Sequence, residues 1–322
     1  MNAIKNTHQK ESLNYLKAFA ITLVVAHHVI DYAVLTDLHP IIVTLKDLIQ
    51  SIHVPLFFLI AGYLCHEQNL TKFFSKKIER IIFPFITFTT LKLIYTNLIS
   101  NEYAHGATLP DQIIDAFLYG SLYWFIYPMF IFFLCAPLLW KSKHINIVIF
   151  VTLLLINGYV GYPTSTFLQL WPALFNACFF VAGILIQQYE KQLTALVEKY
   201  NRIFVLICLS IIAYLVHLLY TGQTYYSFPV RVLLAFSEMY LIWRGAKKLP
   251  ENITALKIMG KYSLQIMFFD SFFKVVLFLI LEKLAIANPI TGMLTVPVNI
   301  LLSCIACFII KKIPIIRKLF GL

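Results

Sequence analysis

The chain has 322 residues, 60% of them hydrophobic and 13% charged, with a formal net charge of +11 and a mean hydropathy of +0.79. Soluble domains are about 45–50% apolar and about 25% charged, so a soluble globular protein is excluded, as is intrinsic disorder, which needs low hydrophobicity. A chain this apolar gives no reason to read its positive charge as a footprint for nucleic acid, and no nucleic-acid partner is expected.

Apolar runs follow one another at about 13–35, 49–65, 81–100, 121–140, 145–163, 169–187, 203–220, 228–243, 262–281 and 291–310. Each is close to the roughly 20 residues that cross a bilayer as a helix. The expected fold is an all-α integral membrane protein, a bundle of about ten transmembrane helices with the lipid bilayer as its partner. Ten spans use about 200 residues and leave about 120 for tails and connections, so residues 1–322 are expected to form a single transmembrane domain with no soluble domain. Lys5, Lys10 and Glu11 precede a first run that is too long for a signal peptide.

Lys and Arg collect on the cytoplasmic side of membrane proteins. With the N-terminus inside, only Lys46 and Lys283 face outward and Lys92, Arg231 and Lys274 fall within runs. Every other one of the 26 Lys and Arg residues is then cytoplasmic. An N-in, C-in orientation follows.

Ionisable residues inside spans are costly and mark candidate functional positions. The first run, LNYLKAFAITLVVAHHVIDY, has Lys17 near its cytoplasmic end, His27 and His28 near its middle and Asp31 just beyond. Lys17 and His28 share a helix face and lie roughly 16 Å apart along the axis. Such a stripe can hold an elongated anionic molecule entering from the cytoplasm. The alternative is a snorkelling lysine with histidines bonded to neighbouring helices.

In the second run His53 is followed by Pro55 and Gly62, which permit a kink and close helix approach. His53 falls at about the depth of Asp31, so either the two meet or His53 is satisfied by its own surroundings. Lys76, Lys77 and Arg80 crowd the start of the third run. Phosphate binding is one reading of that cluster and membrane topology the other; Lys72 and Lys76 are read as topological.

Tyr123, Trp124 and Phe125 open the fourth run, where either an interfacial aromatic belt or stacking on a sugar accounts for Trp124. Arg231 and Glu238 share one face of the eighth run, and Asp270 and Lys274 lie one turn apart in the ninth. Each pair either neutralises itself within the bundle or contributes to binding an acceptor. The cysteines at 65, 135, 178, 208, 304 and 307 lie in apolar stretches. The Cys304/Cys307 pair has no second pair and no nearby His, so packed thiols and no metal site are expected.

In order and spacing these segments resemble the acyltransferase-3 family of bacterial polytopic membrane proteins, which includes surface-glycan O-acetyltransferases. The likeness rests on Asn14-Tyr15-Leu16-Lys17 leading to His28, on HVPLFFLIAGYL at 53–64 and on Lys77-Ile-Glu-Arg80 before a proline. YWFIYPMF at 123–130 and MGKYSLQIMFFD at 259–270 add to it. Lysine stands at 17 and 77 where the family usually has arginine, Ala61 where it has serine, and Asp270 where it often has histidine.

The resemblance implies a bacterial inner-membrane enzyme that takes an acyl group from acetyl-CoA or another acyl-CoA. The acceptor is a hydroxyl of a cell-envelope or exported glycan or its lipid-linked precursor. It implies that Lys17, Lys77 and Arg80 hold the phosphates of the donor and that His28 is the general base, oriented by a carboxylate such as Asp31. His53, Trp124, Arg231 and Glu238 are the candidate acceptor-binding residues. An acyl-histidine relay is the rival mechanism, and His27-x-x-x-Asp31 also resembles the pattern of soluble CoA-dependent acyltransferases. A transporter of a glycan or anionic solute is the alternative function, although the two related halves common in transporters are absent. A glycan polymerase or ligase is a weaker third reading, because the outer segments 36–48 and 101–120 contain no arginine.

Overall fold

A computed structural model of the chain describes residues 2–33, 40–99, 108–160, 167–223, 227–284 and 289–322. The ends of three expected runs, at 34–35, 100 and 161–163, lie outside the described residues, as do parts of the outer segments 36–48 and 101–120. Helix accounts for 88% of the structure, and no strand occurs among the described residues.

The helices are α1 (Asn2–Ala33), α2 (Pro40–Tyr63), α3 (Leu70–Lys77), α4 (Phe83–Ile99), α5 (Leu109–Ile114), α6 (Ile126–Leu139) and α7 (Lys143–Val160). They continue with α8 (Leu170–Gln188), α9 (Glu190–Tyr220), α10 (Phe228–Lys248), α11 (Thr254–Lys261), α12 (Ser263–Lys283), α13 (Pro289–Lys311) and α14 (Pro314–Leu319). Short π-helical turns join α3 to α4 at Ile78–Ile82 and extend α5 at Asp115–Tyr119.

Among the described residues seven helical stretches are long and apolar enough to cross a membrane: Glu11–Asp31, Ile41–Tyr63, Leu70–Leu98, Phe167–Gln188, Glu190–Tyr220, Ser263–Lys283 and Thr291–Lys311. The runs expected at 121–140 and 145–163 form the shorter apolar helices α6 and α7. The run at 228–243 forms α10, whose length would suffice but which carries Arg231, Glu238, Arg244, Lys247 and Lys248. Backbone angles of −113° and 22° at Tyr200 kink α9 near where the seventh apolar run was expected to begin.

Hydrocarbon tails are as apolar as Leu, so close packing and interhelical hydrogen bonds must hold such a bundle together. Two glycines provide close packing between α2 and α8. A Cβ on Gly62 would lie 2.0 Å from the Phe180 carbonyl oxygen, and one on Gly183 would lie 2.1 Å from that of Leu59. This crossing fixes the course of α2. On its other side α2 packs against α1, which also meets α10, α11, α12 and α13. Helix α1 is therefore central, and Tyr15, Ala18, Ala20, Ile21, Val25 and Val29 along it are almost completely buried. His27 and His28 on it consequently meet residues of neighbouring helices.

Candidate functional site

His28 has its Nδ1 2.6 Å from Oδ2 of Asp270 on α12. Oδ1 of the same carboxylate accepts a 2.7 Å hydrogen bond from Nδ2 of Asn299 on α13, and the Ser303 hydroxyl donates to Oδ1 of Asn299 at 3.4 Å. Asp270 is fully buried. A buried carboxylate is tolerated only when its oxygens are hydrogen-bonded, and both oxygens here are. Against an ionised carboxylate, which only accepts hydrogen bonds, Nδ1 is the donor, and a neutral imidazole in that tautomer has its lone pair on Nε2.

His28 keeps 37% of its side chain exposed and borders a cavity of about 360 Å³. That volume is within the range of about 300–1,000 Å³ typical of small-molecule sites. Around the cavity stand Val24 on α1, His53 and Phe57 on α2, Lys92 and Thr96 on α4, and Met267, Ser271 and Lys274 on α12. Gln112, Asp115 and the segment Ser121–Phe125 complete the wall. Gly120, at φ 65°, ends the π turn Asp115–Tyr119 and reverses the chain into that segment. Few residues other than glycine adopt this left-handed conformation without strain.

A second polar group lies beside His28. The Tyr123 hydroxyl is 2.8 Å from the Ser271 hydroxyl, which donates to the Phe268 carbonyl at 2.9 Å. The Lys92 ammonium donates to the Ser271 carbonyl at 2.7 Å and rests against the rings of Tyr95 and Phe272.

The other sequence-derived candidates are dispersed. His53 and Trp124 border the cavity. The Nδ1 of His53 is bonded to the Ile49 carbonyl at 2.7 Å, and its ring stacks on His27 with centroids 4.6 Å apart. Asp31 approaches neither His28 nor His53: it pairs with His27 at 3.1 Å and with Lys46 at 2.5 Å. The carboxylate on His28 is Asp270, 242 residues away in sequence.

Arg231 and Glu238 are not among the residues bordering the cavity. Arg231 donates to Oδ1 of Asn176 at 2.7 Å and lies over the Phe175 ring, and Glu238 accepts from the Ser51 hydroxyl.

Lys17, Lys77 and Arg80 form a separate basic group. The charge of Arg80 acts on both lysines, and that of Lys17 on Lys77. The Lys77 ammonium sits 3.6 Å from the centroid of the Phe133 ring, whereas Arg80 is exposed. The π turn Ile78–Ile82 lies at this point, where a change of helical register re-aims the side chains that follow. None of the three borders the His28 cavity, which lies about three turns further along α1.

Asn299, Ser271, Tyr123 and Lys92 received no role in the sequence reading. Asn299 and Lys92 carried a legible signal, each being a strongly polar side chain in the middle of an apolar run. Ser271 did not, because a serine in a transmembrane helix commonly bonds to its own backbone. Among the described residues no group of three or more His, Cys, Asp and Glu side chains is arranged to hold a metal ion, and all six cysteines are free thiols.

These features define a multi-pass helical membrane protein with a carboxylate-paired histidine at a cavity. Residues 10–312 match the acyltransferase-3 family, described as an acyltransferase domain, and the chain belongs to that family. It is 30% identical over 223 residues to the nodulation protein NolL of Mesorhizobium japonicum. The similarity covers 66% of this chain and 57% of NolL, so the chain spans less than two thirds of that relative. No solved structure matches it.

Proposed function

We propose that the protein is a membrane O-acyltransferase, in the simplest case an O-acetyltransferase. The acyl group passes from a cytoplasmic acyl-CoA to a hydroxyl of a cell-envelope or exported glycan or its lipid-linked precursor. The observation that carries this reading is the His28–Asp270–Asn299 chain ending at a cavity. With Nδ1 committed to Asp270, Nε2 is the atom available to take a proton.

In the proposed reaction the acceptor hydroxyl attacks the thioester carbonyl while His28 Nε2 removes its proton. The new ester bond forms as the carbon–sulfur bond breaks, and the proton passes to the departing CoA thiolate. Asp270 stabilises the transient imidazolium and keeps the ring in the required tautomer. Asn299 holds Asp270 in place. A general base of this kind is worth about 10²–10⁴ in rate.

Lys17, Lys77 and Arg80 suit the phosphates of CoA. They are clustered cations on the proposed cytoplasmic side, about the length of a pantetheine arm away from His28. The proposed orientation is N-in and C-in in a bacterial inner membrane, with the His28 cavity opening outward to the glycan.

The test uses purified protein, radiolabelled acetyl-CoA and glycan acceptors, comparing wild type with His28→Ala and His28→Gln. Loss of transfer in both variants, with acetyl-CoA binding retained, is expected. Full transfer by His28→Ala would overturn the mechanism, and absence of any acyl-CoA binding would favour a transporter.

A further inference from the structure

Within the proposed acyltransferase reading, we infer that the acceptor is anionic. The Lys92 and Lys274 ammonium groups receive a carboxylate or phosphate that the acceptor carries beside the hydroxyl to be acylated.

Lys92 is only 6% exposed, yet it borders the cavity. An ammonium has three N–H donors. The hydrogen bond that Lys92 makes among the described residues goes to a neutral carbonyl, that of Ser271. The rings of Tyr95 and Phe272 also meet the ammonium, with centroids 5.0 and 5.2 Å from Nζ, and neither is an anion. A buried charge without an ionic partner is costly unless a counter-ion arrives.

Among the described residues no acidic group forms an ion pair with Lys92. Asp270 is close enough for its charge to act on Lys92, but its two oxygens are bonded to His28 and Asn299. Asp115 borders the cavity as an exposed residue. Lys274 adds a second cation to the same wall, one turn from Ser271 on α12. The two lysines, on α4 and α12, thus stand on a cavity wall that also holds His28.

The donor is not the source of the anion on the proposed reading. The phosphates of CoA lie with Lys17, Lys77 and Arg80, roughly 16 Å along α1 from His28. The pantetheine arm and thioester that reach His28 are uncharged. The negative group therefore comes in with the acceptor, as the carboxylate of an acidic sugar or the phosphate of a lipid-linked precursor. Either would bind Lys92 directly and place a neighbouring hydroxyl close to His28 Nε2.

Equilibrium binding to the purified full-length protein, without acyl donor, separates this inference from the transfer reaction. The probes are hexuronate oligosaccharides, the methyl esters of the same oligosaccharides, and a neutral disaccharide with and without a polyprenyl phosphate. At least one anionic probe is expected to bind about tenfold more tightly than its neutral counterpart, as a charged hydrogen bond provides. The source of the anion is whichever anionic probe shows the preference.

The preference should fall to about twofold or less in Lys92→Met and in Lys274→Met, and should survive in Lys92→Arg. Retained donor binding would report that each variant is folded. Equal binding of charged and neutral forms, no binding of either anionic probe, or a preference that persists in the double Met variant would overturn the inference. A failure of acyl transfer with the charge preference intact would count against the proposed reaction alone. Loss of transfer in Lys92→Met by the same factor for charged and neutral acceptors would instead assign Lys92 to the chemical step, and also overturn the inference.

Discussion

The seam between α2 and α8 and the seam joining α1, α12 and α13 hold the same bundle together with opposite materials. In the first, Gly62 and Gly183 let two backbones approach so closely that a single added carbon meets a carbonyl oxygen. In the second, His28, Asp270, Asn299 and Ser303 link three helices through polar side chains. Lipid gives helices little hydrophobic reason to associate, so both devices are effective in a membrane. Only the polar seam carries a proton donor and acceptor to a cavity wall. A buried ionisable pair is an expensive way to join helices, and its retention at a cavity points to chemistry.

Substitution at the dry seam should produce the largest effect. Gly62→Leu or Gly183→Leu has no room against the opposing backbone and should leave no folded protein, as read by size-exclusion profile and thermal melting in detergent. A monodisperse Gly62→Leu protein with wild-type melting would show that the two helices can separate freely. Next comes His28→Ala, for which transfer should fall by about 10²–10⁴ while donor binding persists.

Asp270→Asn should follow, with kcat lower by roughly 10² and the KM for acyl-CoA unchanged, because the amide lacks the charge that stabilises an imidazolium and can donate an N–H to Nδ1, which favours the wrong tautomer. Arg80→Gln acts at the basic cluster and should raise the KM for acyl-CoA about tenfold with little change in kcat. Asp31→Asn should change kcat by less than about threefold, since Asp31 pairs with His27 and Lys46 rather than with His28. If Asp31→Asn proved as damaging as Asp270→Asn, the histidine would depend on the nearer carboxylate after all.

The membrane class was legible from composition, because no soluble fold tolerates so few charges beside so many apolar residues. The helix positions were legible too, since each span must satisfy its backbone internally over a fixed thickness. His28 was visible as a candidate, an imidazole in the middle of an apolar run. Its carboxylate partner was not. Asp31 lies one turn from His27 on the same helix, so local periodicity offered it as a partner, and it does pair with His27. Asp270 could be found only once α12 was laid against α1. The reading of Arg231 and Glu238, as a self-neutralising pair or as acceptor contacts, likewise rested on same-helix spacing; the structure shows bonds from each to another helix, to Asn176 and to Ser51.

What the sequence by itself determined is therefore a membrane-embedded helical chain with a small set of polar residues whose depths follow from helix rise. What only the tertiary structure decided is which of those residues meet. Periodicity fixes the face and depth of a side chain on its own helix, but rotation and neighbour choice depend on packing between distant segments. The 2.6 Å contact of His28 with Asp270 and the position of Lys92 on the same cavity wall belong to that second kind of information.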